Sequence, residues 1–175
     1  MVANAIDILD EHRVMTVATL RPDGWPQATI VGYANDGLDV YFLVARTSQK
    51  LVNVQFDDRI AIAVGEEPRD DHIQAVYAAA NAVELVDPEQ RARCWQLLRQ
   101  RHRNLADYDM PGPAEAAMFR AECHHVSALD FISGDNSNWP STMERLPGTG
   151  GLENAVSCQD STMRRRGRGA LGRSA

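Results

Sequence analysis

The sequence predicts a mainly β domain with peripheral helices, and three observations carry that expectation. Stretches of β-branched and aromatic residues recur at the strand period between residues 14 and 64. Two of the connections between them, Arg21-Pro22-Asp23-Gly24 and Asn35-Asp36-Gly37, hold turn chemistry that suits hairpins. One helix, opening at Asp87-Pro88-Glu89-Gln90, carries a capping acid, a first-turn proline and a glutamine at the capping-box position.

In chain order, Ala3 to His12 places Ala5, Ile6 and Leu9 at helical spacing with Asp7, Asp10 and Glu11 opposite, a short amphipathic helix that should lie on a sheet. Val14 to Leu20 is a strand. The turn after it reverses the chain, because proline fixes one torsion and glycine accepts positive φ, and Gln27 to Tyr33 returns as the hairpin partner. A third strand, Leu38 to Val44, completes an antiparallel meander, and Arg59 to Val64 alternates as a fourth. His72 to Val86 is alanine-rich and ambiguous between helix and strand. Its Ile73, Val76, Tyr77, Val83 and Val86, and the need for a partner on the preceding strand's edge, favour strand. The helix after Asp87 should bury Ala92, Trp95, Leu98, His102 and Leu105, and turn Arg91, Arg93, Arg99, Arg101 and Arg103 to solvent. A break at residues 109 to 113 and a helical turn from Ala114 to Met118 lead into a last strand, Phe119 to Phe131. There Cys123 and His125 should share one face with His124 on the other, and two ligands make no transition-metal site, so no metal is expected.

The 175 residues suffice for one domain with a core of its own. From about residue 133 the apolar period gives way to glycine, serine, proline and clustered arginine. The expected division is a folded domain over 1–134 and an irregular segment with a disordered basic tail over 135–175. The formal charge of −6 splits into +3 over residues 151–175 and −9 over the rest, and an acidic body disfavours nucleic acid as a partner. Cys94, Cys123 and Cys158 show no CxxC spacing, which argues against a disulfide framework or zinc ribbon and suits a reducing cytoplasm. The acidic amino terminus lacks the basic start and apolar run of a secretory signal, and no window approaches a membrane span. A cytoplasmic location with no membrane partner is expected.

Between the third and fourth strands lies Arg46-Thr47-Ser48-Gln49-Lys50, a turn that feeds a short helix beginning near Ser48. Lys50 is the only lysine among the eighteen basic residues. Free N–H groups at a helix start, two hydroxyls and an ammonium together suit a phosphate monoester, and a capped helix with a solvated lysine is the equally weighted alternative. The chain holds no nucleophile elbow, HExxH, P-loop or dinucleotide GxGxxG, so single serines and histidines are better read structurally.

Five pieces, Val17-Ala18-Thr19-Leu20, Asp23-Gly24 with Pro26, Val40-Tyr41-Phe42, Ser48 with Lys50, and Asp58-Arg59-Ile60-Ala61, stand in an order and spacing that resembles the pyridoxamine 5'-phosphate oxidase-like family of FMN-binding split barrels, over about residues 4 to 131. The resemblance implies a six-stranded antiparallel Greek-key split barrel with peripheral helices, which forms a homodimer and holds FMN in a groove made by both subunits. It implies that Ala28, Thr29, Ile30, Val31 and Tyr33 edge the isoalloxazine and that Leu43 and Val44 flank it. Ser48, Gln49 and Lys50 would hold the phosphate, with Arg46 and Thr47 beside them, and Gln74 would approach from the other subunit, with His72 as the fallback.

The departures from the family pattern bear on the substrate. Where the oxidases of the family place an arginine and a lysine at the ends of the second strand, this chain has Ala28 and Tyr33. The carboxy-terminal basic residues that grip pyridoxamine phosphate have only a faint echo in Arg145-Leu146-Pro147. The implied function is an FMN-dependent oxidoreductase acting on a small molecule other than pyridoxamine phosphate, with NADH or NADPH as candidate electron donor. No catalytic side chain is assigned, since flavin itself carries the redox chemistry. Three alternatives on the same barrel stay open: a flavin-binding stress or sensor protein without turnover, a haem-binding relative using His124 or His125, and a deazaflavin-binding variant, whose longer tail needs a wider basic groove than Lys50 alone supplies.

Overall fold

The computed structural model describes residues 2–65, 72–132 and 144–145. Along the chain these form α1 (Val2–Glu11), β1 (Val14–Leu20), β2 (Pro26–Asp36), β3 (Asp39–Ala45), α2 (Gln49–Phe56), β4 (Arg59–Gly65), β5 (His72–Glu84), α3 (Pro88–Arg101), a single 3-10 turn at Arg103–Leu105, β6 (Ala116–Ile132) and β7 (Glu144–Arg145). The strands run β3-β2-β1-β4-β5-β6, all antiparallel, and β3 also pairs with β6, which closes a six-stranded barrel. The order β4-β1-β2-β3 is that of a Greek key. The two-residue β7 adds to β6 at His125 and Val126. It is the described part of the segment expected to be irregular; the rest of 135–175 lies outside the described residues, as does most of the loop between β4 and β5.

Local chemistry explains the hairpins. Gly24 sits at φ 87 and donates its N–H to the Arg21 carbonyl at 2.9 Å, while Asp23 takes both the Arg21 guanidinium and the Trp25 N–H. Period-two alternation then sends Met15, Val17, Phe42, Val44, Ile60, Ile62, Val64, Val76 and Phe119 into one interior. The rings of Phe42 and Phe119 stack there at 5.4 Å across the seam that closes the barrel. Ala5, Ile8 and Leu9 of α1 enter the same core, and α1 packs on β5 and β6, where Ala78, Ala80, Ala82, Ala117 and Ala121 are small enough to admit a helix. The alanine-rich segment is therefore a strand, and its composition serves helix packing rather than helix formation. A second cluster lies outside the barrel, where Cys94, Trp95 and Leu98 of α3 cover Ala34, Tyr41 and Met118.

Four expectations are corrected. In α3, Arg91 is buried and Ala92 is exposed, so the buried stripe is Arg91, Cys94, Trp95 and Leu98. Nor is α3's basic face simply solvated: Arg91 donates to the carbonyls of Pro111 and Ala116, Arg99 to that of Ala106, and Arg101 to those of Leu9 and His12, while Arg93 pairs with Asp36. The long loop after α3 and the end of α1 leave carbonyls unpaired, and a guanidinium has five donors with which to reach them. Residues 113–115 form a turn rather than a helix, and β6 already begins at Ala116. Finally, a bulge interrupts β6: Cys123 pairs with Ala80 and packs against the core, whereas His125 pairs with Ala79, so the inserted His124 puts these two on opposite faces.

Candidate cofactor site at the split in the barrel

Residues 26–32 of β2 pair with β1, and residues 33–36 pair with β3 instead. Beyond Phe42, β3 in turn pairs with β6 alone. The two strands thus separate after the Tyr33–Phe42 pair, leaving a split whose edges carry backbone N–H and C=O groups with no strand partner. At its apex Gly32, Leu43, Leu98, His102, Asn104 and Leu105 enclose a cavity of about 200 Å³. The His102 ring bonds through Nε2 to the Tyr33 carbonyl at 2.8 Å, and a Cβ at position 32 would stand 3.0 Å from that ring, a contact tight enough to push it outward.

Beside the split, Ser48 caps α2 and its Oγ accepts the Leu51 N–H at 3.3 Å. The remaining first-turn N–H groups have no partner within the helix. Lys50 follows in that turn, half-buried and with no carboxylate partner among the described residues, and burial lowers its pKa. A desolvated cation without a counter-ion, next to open N–H groups, suits an anion of phosphate size.

The other expected site residues divide clearly. Ala28 and Ile30 point outward, with Ile30 75% exposed, while Thr29 and Val31 are half-buried on the opposite face. Thr29 Oγ1 is buried and has no hydrogen-bond partner among the described residues. Leu43 lines the cavity, but Val44 belongs to the barrel core. Tyr33 is also turned inward: it is fully buried, its hydroxyl donates to the Leu9 carbonyl at 2.7 Å, Arg101 stacks over its ring, and burial pushes its pKa up to about 12. Arg46 is committed elsewhere, donating to the Pro113 carbonyl at 2.7 Å and pairing with Glu84 at 2.5 Å. Thr47 is exposed next to the cap. Gln74 is half-buried on β5 opposite Asp130, separated from β2 within the sheet by β1 and β4. Within one chain Leu43 lines the cavity, Asn53 ties α2, which follows the Ser48 cap and holds Lys50, to Gln27 of β2, and Gln74 lies apart from them across β1 and β4.

Sequence reasoning missed Asn53, Gln27 and Thr19, which form a buried hydrogen-bonded group under α2. The available signal was Asn53 itself, a polar residue between Leu51 and Val54 on the buried face of a short helix. His124 is occupied too. Asn81 donates to Asp58, so its Oδ1 faces His124 and accepts from Nε2 at 2.5 Å, while Nδ1 of His124 is buried without a partner among the described residues. Among the described residues no group of three His, Cys, Asp or Glu side chains suits a metal, and no helix is long and apolar enough to cross a membrane.

The family described as pyridoxamine 5'-phosphate oxidase matches residues 1–130. No curated protein matches the sequence. Among solved structures, a heme-binding protein from Mycobacterium smegmatis superposes with a TM-score of 0.67 at 20% identity over 83% of this chain, which spans only 57% of that protein. A conserved hypothetical protein from Mycobacterium tuberculosis gives 0.63 at 22% identity, covering 72% of this chain and 82% of its own. A FAD-binding protein from Mesorhizobium loti gives 0.59 at 20% identity, covering 72% and 91%. At these identities the likeness is one of fold, and proteins named for haem and for flavin share it.

Proposed function

The chain belongs to the pyridoxamine 5'-phosphate oxidase family, and from that premise we propose that it binds FMN at the split and acts as an FMN-dependent oxidoreductase on a small molecule. The observation that carries the reading is Lys50, a half-buried cation with no counter-ion among the described residues, set at the capped start of α2 beside the open half of β2. Ser48, Lys50 and the first-turn N–H groups would hold the phosphate. The free edge of β2 and the unpaired Thr29 hydroxyl would meet the polar margin of the ring, and Leu43 its apolar part. Bound FMN supplies two-electron redox chemistry, and the protein supplies position and exclusion of water. With Ala28 uncharged and Tyr33 buried, the split lacks the two cations expected of a pyridoxamine phosphate site, which favours a different substrate. Flavin is preferred to haem on His124, because one of that ring's nitrogens is hydrogen-bonded and the other is buried.

The reading includes a homodimer. The outward faces of β2, β1, β4 and β5 align Ile30, Thr16, Ala63 and Tyr77 in one row and Ala28, Ala18, Ala61 and Ala79 in the next, a smooth apolar surface on which a second copy would supply the other wall of the groove and bring its Gln74 near.

Isothermal titration of FMN and riboflavin decides the phosphate site. A charge-assisted hydrogen bond contributes about 1.5 to 3 kcal/mol, so Lys50→Ala should weaken FMN binding by about ten- to a hundred-fold and leave riboflavin nearly unchanged. Equal FMN affinities for the two proteins would remove the site. The absorbance spectrum of the purified protein separates flavin from haem.

A further inference from the structure

We infer that Asn53 is a positioning residue that fixes the phosphate turn of α2 against the open half of β2, and so sets how strongly the site prefers phosphorylated to unphosphorylated flavin. The inference rests on the flavin reading above.

Asn53 is fully buried, at 0% exposure, between the core residues Leu51 and Val54. Its amide is saturated. Oδ1 accepts from Gln49 Nε2 at 3.0 Å, and Nδ2 donates to Thr19 Oγ1 at 2.9 Å and to Gln27 Oε1 at 2.8 Å. Thr19 and Gln27 are register partners across β1 and β2, and Thr19 Oγ1 also lies 3.5 Å from the Gln27 carbonyl. The Asn53 N–H groups thus reach oxygens on two strands, while its oxygen meets the residue before Lys50.

A buried amide of this kind is an unusual choice for holding a helix down. Apolar residues at Asn53 and its partners together would fill the same space at little change in stability, so burial alone does not call for an amide. What the amide adds is direction. Apolar burial is non-directional and tolerates a helix that slides or rotates by part of a turn, whereas the two bonds from Asn53 to Thr19 and Gln27 tolerate neither. Gln49 and Asn53 are one helical turn apart, so their own bond moves with α2, and a rotation that carried Lys50 and the Ser48 cap away from the hairpin would break the two bonds to Thr19 and Gln27. On the β2 side, Gln27 shares its face with Thr29, whose buried hydroxyl is unpaired. The polar seam therefore runs from the phosphate turn, through Asn53, to the stretch of β2 proposed to edge the ring.

The test compares FMN and riboflavin affinities of the full chain for wild type, Asn53→Leu and Gln27→Leu, with thermal melts run in parallel. Gln27→Leu cuts one bond from the half-buried strand side and leaves the helix packing intact, which keeps the test available where Asn53→Leu does not fold. The expected result is a folded variant whose FMN affinity falls about ten-fold for Asn53→Leu, and by less for Gln27→Leu, while riboflavin affinity is unchanged. A purely structural role predicts that both ligands weaken together or that neither does, and either outcome overturns the inference alone provided wild type prefers FMN. A wild type that binds neither flavin overturns the flavin reading and this inference with it.

Discussion

The two halves of β2 belong to one strand and face opposite demands. From Tyr33 to Asp36 the strand pairs with β3, its tyrosine hydroxyl is satisfied and its tyrosine N–H reaches the Arg13 carbonyl, Arg101 and His102 hold it, and Asn35 ties it to Asp10. From Pro26 to Gly32 it is paired on one edge, its isoleucine stands in solvent, its threonine hydroxyl is unpaired, and the neighbouring lysine has no counter-ion among the described residues. The half joined to β3 keeps one buried acceptor, Asn35 Oδ1, without a partner among the described residues. The open half adds to its unpaired hydroxyl a free strand edge and a cation without a counter-ion, and it is this combination that would suit a ligand or a second copy.

Substitutions in the two halves should therefore separate stability from binding. The largest expected effect is in the closed seam. Phe42→Ala removes a fully buried ring stacked on Phe119 and should cost about 3 to 5 kcal/mol in urea unfolding, with ligand binding lost only as the fold is lost. Tyr33→Phe should cost about 1 kcal/mol, the worth of its bond to Leu9, and leave FMN affinity unchanged, because the hydroxyl points away from the split. Its pH signature follows from burial. The folded-state pKa is raised from 10.0 to about 12, so the contribution is complete below pH 10 and is lost as pH rises from 10 toward 12. Alkaline denaturation of wild type should show a steeper limb than Tyr33→Phe, in which Tyr41, Cys94 and Cys123, also raised by burial, still titrate. The smallest effect on unfolding belongs to the open half: Ile30→Ser should move monomer stability by less than about 0.5 kcal/mol. The same change should weaken the proposed dimer about ten-fold or more, read by light scattering across a dilution series. An Ile30→Ser protein with dimerisation intact would place the interface elsewhere.

Much of this was legible in the sequence because it is local. Alternation and turn residues set the strands of the meander, and Ser48 and Asp87 marked two helix starts with the caps they form. The turn before α2, proposed to hold a phosphate, was legible as a capped helix start for the same reason. What escaped is set by distant partners. The sequence of β2 does not reveal that pairing with β3 begins only at Tyr33, since that depends on where β3 turns toward β6. An arginine on a helix looks solvated until the carbonyls of another segment need a donor, as Arg91 and Arg101 show. Asn53 looks like a stray polar residue until Thr19 and Gln27 arrive from a hairpin already formed. The alignment of Tyr33 with a cofactor strand carried no information about its side chain, which period-two geometry turns inward.

Arg101 carries a further consequence, for the order of folding. Its hydrogen bonds to the end of α1 span 89 and 92 residues of chain, and the β3–β6 seam joins residues 40–45 to 116–121. Contacts of such range form only after the intervening chain is closed, so the amino-terminal helix should dock after the seam has joined and contribute little to the rate-limiting step. Loss of the Arg101 strap should then speed unfolding while leaving the refolding rate nearly unchanged, and stopped-flow kinetics of Arg101→Ala would place the strap early in folding if refolding slowed instead.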